Sequence, residues 1–182
     1  MTIYIVLGIV VLLVIYVIAA YNSIVKAEVK VDEGFSTIDV YLKKRYDLIP
    51  NLVATVKGYA KHENETLTKI IEARNMAVNS KNLEDIANAN NAISTMLPSI
   101  FALAESYPDL KANTNFGELQ SELSVIENEL SNSRRYYNGC VREFNTLIIT
   151  FPKVIIANIF GKTKKQFFEA DKSEKENVKI EF

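Results

Sequence analysis

The chain has 182 residues, with 22 acidic and 21 basic side chains and a net charge of −1. A near-neutral chain lacks the basic surface that nucleic acids require, so we expect no nucleic-acid partner. The single cysteine, Cys140, excludes an internal disulfide and a cysteine-cluster metal site. We interpret it as a small core residue on a helix.

An apolar run without a charge opens the chain, reading IYIVLGIVVLLVIYVIAAY from Ile3 to Tyr21. At about 1.5 Å per residue, a helix of this length crosses a hydrocarbon core of about 30 Å. The alternative is a cleaved signal peptide, which needs a basic segment before a shorter apolar core. We therefore predict a retained transmembrane anchor over residues 1–24, in the cell membrane.

The charges that flank the apolar run predict its orientation. Lys26 and Lys30 follow the run, and no charged side chain precedes it. Since basic residues favour the cytoplasmic side, we expect a single-pass protein with its N-terminus outside and its helical domain in the cytoplasm.

Beyond the anchor, the hydrophobic period is helical almost throughout. The first helix continues from the anchor without a linker, so we expect one rod from Ile3 to Ile49. Pro50 suits the first turn of a second helix, because the missing N–H costs nothing there. A turn at residues 79–82 leads to a third helix that ends at Tyr107-Pro108. Asn113 to Asn115 supply capping residues for a fourth.

The fourth helix has the clearest pattern, with apolar residues at alternating steps of four and three. Such a heptad seam favours antiparallel coiled-coil packing. Its members are Leu119, Leu123, Ile126, Leu130, Ser133, Tyr137, Cys140, Phe144, Leu147 and Phe151. The fold class is then all-α: a transmembrane helix continuous with an antiparallel up-down four-helix bundle over residues 25–168. Residues 169–182 form a polar C-terminal tail.

Up-down topology returns residues 152–168 to the membrane end of the bundle. This segment mixes apolar side chains with Lys153, Lys162, Lys164 and Lys165. That composition is typical of a membrane-surface segment, so we expect these lysines to contact lipid headgroups. The alternative is a helix that closes the base of the bundle.

Catalytic chemistry has few candidates. His62 is the single histidine, and the His62-Glu63 pair lacks the second histidine of a zinc protease motif. There is no glycine-rich phosphate loop. We therefore predict a protein that is not an enzyme, with no catalytic, cofactor or metal site.

Polar residues beside the apolar stripes have three readings: solvated flanks, a buried hydrogen-bonded network, or a ligand site. A buried network would have to be fully paired, and a cavity reaching Glu63, Arg74 or Arg134 would favour the ligand site. We expect Arg45 and Asp47 to stabilise the turn before Pro50, Arg45 against the helix dipole and Asp47 as a cap. The candidates are Arg45, Asp47, Glu63, Arg74, Arg134, Asn138 and Asn145.

Five segments resemble the LemA family in the family's order. They are KKRYDLIPNLVATVKGYAKHE (43–63), ESYPDLKAN (105–113), LQSELSVIENEL (119–130), RRYYNGCVREFN (134–145) and FPKVIIANIFG (151–161). The resemblance covers roughly residues 21–168. It implies a membrane-anchored four-helix bundle with a short N-terminus outside the cell, and no reaction, cofactor or substrate. Some relatives are associated with organising internal bacterial membranes.

Three functions remain open. The first is a non-catalytic scaffold or adaptor that organises protein partners at the bacterial membrane. The second is a sensor or ligand-binding helical bundle, and the third is an accessory subunit of a membrane protease or transporter. The sequence predicts a membrane partner and protein partners that it does not name, and it leaves a homo-oligomer open.

Overall fold

The computed structural model describes residues 1–60 and 62–168. Over these ranges the chain forms α-helices and no strand, so the prediction of an all-α protein is confirmed. The helices are α1 (Thr2–Tyr59), α2 (Asn64–Asn79), α3 (Leu83–Ser106), α4 (Pro108–Lys111), α5 (Thr114–Ile149) and α6 (Lys153–Ile159).

Asparagine side chains cap the starts of two helices, and the cap at Asn113 confirms the predicted capping segment 113–115. Asn82 accepts a hydrogen bond from the backbone N–H of Asp85 at 2.8 Å, at the start of α3. Asn113 accepts one from the N–H of Phe116 at 2.9 Å, at the start of α5. Each bond satisfies one of the N–H groups that a helix start leaves without an intrahelical acceptor.

Helix α1 differs from the expectation at its end. It runs without a hinge through residues 21–31, as predicted, but Pro50 lies inside it and the helix ends at Tyr59. The prediction that Pro50 opens a second helix is therefore wrong. An interior proline removes one hydrogen bond and crowds the preceding turn. Apolar residues on both sides of Pro50, including Ile49, Leu52 and Val56, are fully buried, and their packing outweighs that cost.

The roles expected for Arg45 and Asp47 depended on that helix end, and the structure corrects both. No helix begins within the few residues that follow Asp47, because this exposed residue lies in the interior of α1. Arg45 lies more than three turns before the end of α1, too far to interact with the terminal carbonyls. Its side chain is instead fully buried.

The chain divides into two compact units, and both α1 and α5 contribute to each. The terminal unit comprises residues 1–37 and 133–167, and the central unit comprises residues 38–132 with Phe168. The expected domain limits at residues 24 and 168 stay predictions. The expected polar tail, residues 169–182, lies outside the described residues.

Each unit has its own apolar core. In the terminal unit Ile24, Val31, Val141 and Phe144 are 2% exposed or less. In the central unit the equally buried residues include Ile38, Leu42, Ile49, Leu52, Val56, Leu67, Ile70, Ile93, Ile100 and Leu123. Each such side chain contributes about 1.5–3 kcal/mol when it is removed from water.

The predicted seam of α5 is buried from Leu123 to Phe144, but not at its end. Phe151 is 77% exposed and follows the end of the helix, while Ile148 takes a buried place that the heptad assigned to Leu147. An α-helix has 3.6 residues per turn, so its buried face drifts away from a strict seven-residue repeat.

Candidate functional site

The exposed apolar part of α1 is the most distinctive surface of the terminal unit. Among the described residues, α1 is the one helix with a stretch long and apolar enough to cross a membrane. Apolar side chains from Ile3 to Ile18 are exposed, and Ala20 is the first buried residue of the helix. Such a surface is unfavourable in water and suits a hydrocarbon environment.

A charged cluster occupies the interior of the central unit. The buried guanidinium of Arg45 donates from Nη2 to Ser94 Oγ at 2.9 Å and lies 2.8 Å from Glu127 Oε1. The Ser94 hydroxyl donates to Glu127 Oε2 at 2.9 Å. Three helices, α1, α3 and α5, are thus joined by one cation, one hydroxyl and one carboxylate.

This cluster is suited to a structural role. A buried charge is costly unless it is paired and hydrogen-bonded, and the Glu127 carboxylate supplies the opposite charge. A guanidinium remains protonated at any physiological pH, so Arg45 cannot act as a general base. We interpret the cluster as a device that fixes the register of the three helices.

Asn90 extends the polar interior of the same unit. Its side-chain amide donates to the Tyr46 hydroxyl and, at 2.8 Å, to the backbone carbonyl of Ile86. A carbonyl can accept but not donate, which fixes the orientation of the amide. Asn90 is fully buried, so these bonds offset its desolvation.

Arg74 of α2 reaches the turn of α1 that contains Pro50. Its Nε donates to the backbone carbonyl of Tyr46 at 3.2 Å. In a regular helix this carbonyl accepts from residue 50, but proline has no N–H. Arg74 therefore supplies a donor where the proline removes one, which helps α1 to continue through Pro50.

Asn145 binds the segment 162–167 in the terminal unit, which has no regular secondary structure. Its side-chain amide donates to the Lys165 carbonyl at 2.9 Å, and its oxygen accepts from the Lys165 N–H at 2.8 Å. The Tyr137 hydroxyl donates to the Gln166 carbonyl at 2.9 Å. A segment without secondary structure thus has its backbone groups satisfied by side chains of α5.

The remaining polar candidates are dispersed. Glu63 is half-buried at the N-terminal cap of α2. Arg134 and Asn138 are half-buried on α5, in the terminal unit, and both make polar interactions. The structure therefore buries Arg45 in the central unit, leaves Arg74 half-buried against α1 in the same unit, and places Asn145 in a separate contact.

Sequence reasoning missed Asn90, Ser94 and Glu127. Asn90 falls in phase with the apolar stripe of α3, between Ile86 and Ile93, so a polar residue at a core position was a readable signal. Ser94 and Glu127 lie next to stripe positions. Their role depends on Arg45, and no local pattern pairs residues that are 33 or more positions apart in the chain.

The lysines predicted for the membrane surface have different environments. Lys162 forms an ion pair with Glu28, and Lys165 lies 3.2 Å from the other oxygen of the same carboxylate. Lys153 Nζ donates to Ser23 Oγ at 3.2 Å. Lys164 is exposed. Headgroup contact by these lysines remains a prediction.

The ion pairs shift the titration of the groups that form them. The hydrogen bond from Lys162 is the main cause that lowers the pKa of Glu28, partly opposed by its burial. The same bond raises the pKa of Lys162. Both groups are therefore charged over the whole range near neutral pH.

Two open grooves are visible in the described part of the chain. A groove of about 490 Å³ in the terminal unit is lined by Arg142, Thr146, Leu147, Phe151 and Lys153 among others. One of about 440 Å³ in the central unit is lined mainly by polar residues such as Asn51, Thr55 and Glu118. Glu63, Arg74 and Arg134, whose contact with a cavity would favour a ligand site, line neither groove.

Comparison with known proteins gives a consistent family match. The family model described as LemA family matches residues 34–182. A curated protein named Protein LemA, from Metamycoplasma hominis, is 27% identical over 161 residues, which are 86% of this chain and 72% of that protein.

Proposed function

The chain belongs to the LemA family, and on this basis together with the geometry above we propose that it is a non-catalytic, membrane-anchored scaffold or adaptor. It would hold protein partners at the bacterial membrane through its helical part. The proposed role is mechanical. The anchor holds the partner-binding surface of the helical part at the membrane, and the protein catalyses no reaction.

The observation that carries this proposal is the continuity of α1. One helix contains the exposed apolar stretch and continues without a break as a core element of the terminal unit, where Ile24 and Val31 are buried. A helix without a linker transmits orientation as well as attachment, because its hydrogen-bonded turns resist bending. A flexible tether would provide attachment alone.

The polar interior supports the same reading. Arg45, Ser94 and Glu127 are engaged with one another, and Arg74 is engaged with a backbone carbonyl. Groups used in this way stabilise one arrangement of helices, which is what a scaffold requires.

Site-specific photo-crosslinking of the full chain in native membranes tests the proposal. Met76 on α2 and Val125 on α5 are 66% and 57% exposed, and such side chains are candidates for partner contacts. A crosslinker at a partner-binding position should give a discrete adduct whose partner mass spectrometry identifies. Lys69, whose exposed ammonium is paired with Glu65 on α2, is the matched control position.

The outcomes separate the three functions. An adduct at Met76 or Val125 that is absent at Lys69 supports the scaffold. An adduct with one protease or transporter in fixed ratio favours an accessory subunit, and one of twice the monomer mass reveals a homo-oligomer. Absence of protein adducts at every exposed apolar position would contradict the scaffold.

We also propose that the helical part faces the cytoplasm, with Lys26 and Lys30 as the basic flank of the anchor. Protease added to intact spheroplasts should then leave the chain beyond residue 30 uncut, while the same protease after lysis should digest it. Digestion without lysis would reverse the orientation.

A further inference from the structure

Helix α6 presents an apolar face that the described part of the chain leaves uncovered. Ile155 and Ile159 are 52% and 72% exposed, and their spacing of four places them on one side of the helix. Phe160, directly after the helix, is 49% exposed. On the opposite side Ile156 and Ala157 are buried. Helix α6 therefore has apolar residues on both faces, and one of these faces is uncovered.

The position of α6 within the terminal unit is defined by two contacts with α1. The rings of Phe160 and Tyr21 have their centroids 4.4 Å apart. Lys153, the first residue of α6, donates to the Ser23 hydroxyl. Both contacts fall at the end of the apolar run, just beyond Ile18, the last of its strongly exposed side chains. Helix α6 therefore lies beside α1 at the level where the run ends.

That level corresponds to a membrane boundary if the run spans a bilayer. Tyrosine side chains favour the headgroup region, where the ring is partly in hydrocarbon and the hydroxyl is in water. A helix that lies in this interface buries its exposed apolar face about 5–10 Å into the boundary between headgroups and acyl chains. The uncovered face of α6 would find apolar surroundings there without any further chain.

The pairing of the nearby lysines indicates how α6 and its neighbours contact the membrane. Lys162 and Lys165 are 21% and 34% exposed and are paired with Glu28, which lowers their attraction for an anionic leaflet. Asp32 lies 3.9 Å from Lys165 and lowers the attraction of this lysine for an anionic leaflet further. The apolar face of α6 has no comparable internal partner among the described residues. Apolar insertion is thus favoured over electrostatic adhesion.

We propose that α6 is an interfacial helix, whose Ile155 and Ile159 side chains insert into the bilayer boundary beside the anchor. It makes a second attachment that is apolar in character. Two points of contact would fix the rotation of α1 about its own axis, which a single spanning helix leaves free. The inference rests on the proposed membrane anchor and adds to it the place and chemistry of a second contact.

The absence of tryptophan from the sequence makes a direct test available. Three single-tryptophan variants of the full chain, Ile159→Trp, Ile9→Trp and Tyr136→Trp, are reconstituted in liposomes of zwitterionic phosphatidylcholine. Quenching by lipids brominated at shallow or deep acyl positions then reports the depth of each tryptophan. Ile9 lies within the apolar run and controls for insertion of the anchor.

Tyr136 is the matched control in the same unit. It is 55% exposed, and its ring lies near Gly34 of α1. Gly34 is 13 residues beyond Tyr21, or about 20 Å further along the helix. A tryptophan at residue 136 should remain in water, with red-shifted emission and no quenching by either lipid.

The expected result is strong quenching of Ile159→Trp by shallow bromines, with blue-shifted emission, and quenching of Ile9→Trp by deep bromines. Quenching of Ile9→Trp without any quenching of Ile159→Trp would overturn the inference and leave the anchor intact. Blue-shifted but unquenched emission at residue 159 would also overturn it, since protein would then cover α6. If Ile9→Trp is unquenched, the anchor fails as well.

The lipid composition tests the apolar mode. Quenching of Ile159→Trp should change less than twofold when anionic phosphatidylglycerol replaces part of the zwitterionic lipid. Quenching that requires the anionic lipid would contradict apolar insertion and would indicate that the lysines make the contact.

Discussion

Arg74 donates a hydrogen bond from Nε to the backbone carbonyl of Tyr46, the group that Pro50 leaves without its helical donor. Arg74 and Tyr46 are 28 positions apart and lie on different helices. A side chain of α2 thus compensates for a defect in α1, which predicts an energetic coupling between Arg74 and Pro50.

Arg74→Leu should lower the free energy of unfolding by about 1–3 kcal/mol, because the Tyr46 carbonyl loses a charged donor. In a Pro50→Ala background the loss should be smaller by about 1 kcal/mol or more, since alanine restores the N–H. Urea unfolding of the full chain in detergent measures both. Lys69→Leu, which breaks an exposed pair on the same helix, should cost less than about 0.5 kcal/mol in either background. Equal losses for Arg74→Leu in the two backgrounds would disprove the coupling.

The Arg45–Glu127 pair should behave as a buried ion pair. Glu127→Ala leaves the enclosed Arg45 charge without its carboxylate and should cost about 2 kcal/mol or more, a value reduced because Glu127 is 32% exposed. The double change Arg45→Met with Glu127→Leu removes both charges and should lie within about 1 kcal/mol of the wild type. Glu65→Ala, on the exposed pair of α2, is the control. If the double variant is less stable than Glu127→Ala, the attraction between the two charges itself stabilises the unit. The cost of Glu127→Ala would then not be explained by an isolated Arg45 charge alone.

The Glu28–Lys162 pair predicts a pH dependence of the segment 162–167. The pKa of Glu28 is lowered by the Lys162 ammonium, so its contribution is complete above the ordinary glutamate pKa of about 4.3 and is lost as the pH falls through the lowered value. The pKa of Lys162 is raised, so its contribution is complete below about 10.4 and is lost as the pH rises through the raised value.

Amide hydrogen exchange at Lys165, corrected for the intrinsic rate, follows this segment because its N–H is bonded to Asn145. Protection should be constant between about pH 5 and 10. It should fall at lower pH as Glu28 is protonated and at higher pH as Lys162 loses its proton. In Glu28→Gln it should be lower throughout the range and should lose the acid step. Glu33→Gln, on an exposed position of the same helix, should match the wild type. An acid step that persists in Glu28→Gln would assign the titration to another group.

Gly34 marks a close approach of α1 and α5 within the terminal unit. A Cβ at this position would lie 3.3 Å from the Cα of Tyr137, a backbone atom, so the two helices would have to shift apart by a few tenths of an ångström. Gly34→Leu should therefore lower the melting temperature, with a cost of about 1–3 kcal/mol from overpacking. Gly117 has no neighbour within 4 Å of such a Cβ, so Gly117→Ala should raise stability by about 0.5–1 kcal/mol through helix propensity. A Gly34→Leu variant as stable as the wild type would mean that the helices separate at little cost.

The apolar run, the helical period, the turn at residues 79–82 and the capping segment 113–115 follow from short-range patterns. Apart from the boundary expected at Pro50, the structure has helices where those patterns place them. Local signals suffice here because capping and periodicity involve neighbours within one or two turns. The antiparallel four-helix arrangement and the contacts of the lysines with lipid stay predictions.

Tertiary structure decided that α1 continues through Pro50, and it decided which charged residues of the protein form pairs. Proline in a sequence favours a helix boundary, but burial of the apolar residues around it and a donor from Arg74 sustain the helix. The partners of Arg45 and of Glu28 lie far along the chain, at Glu127 and at Lys162. Pairing over such distances depends on which helix faces pack together, and a single sequence carries no local pattern that specifies it.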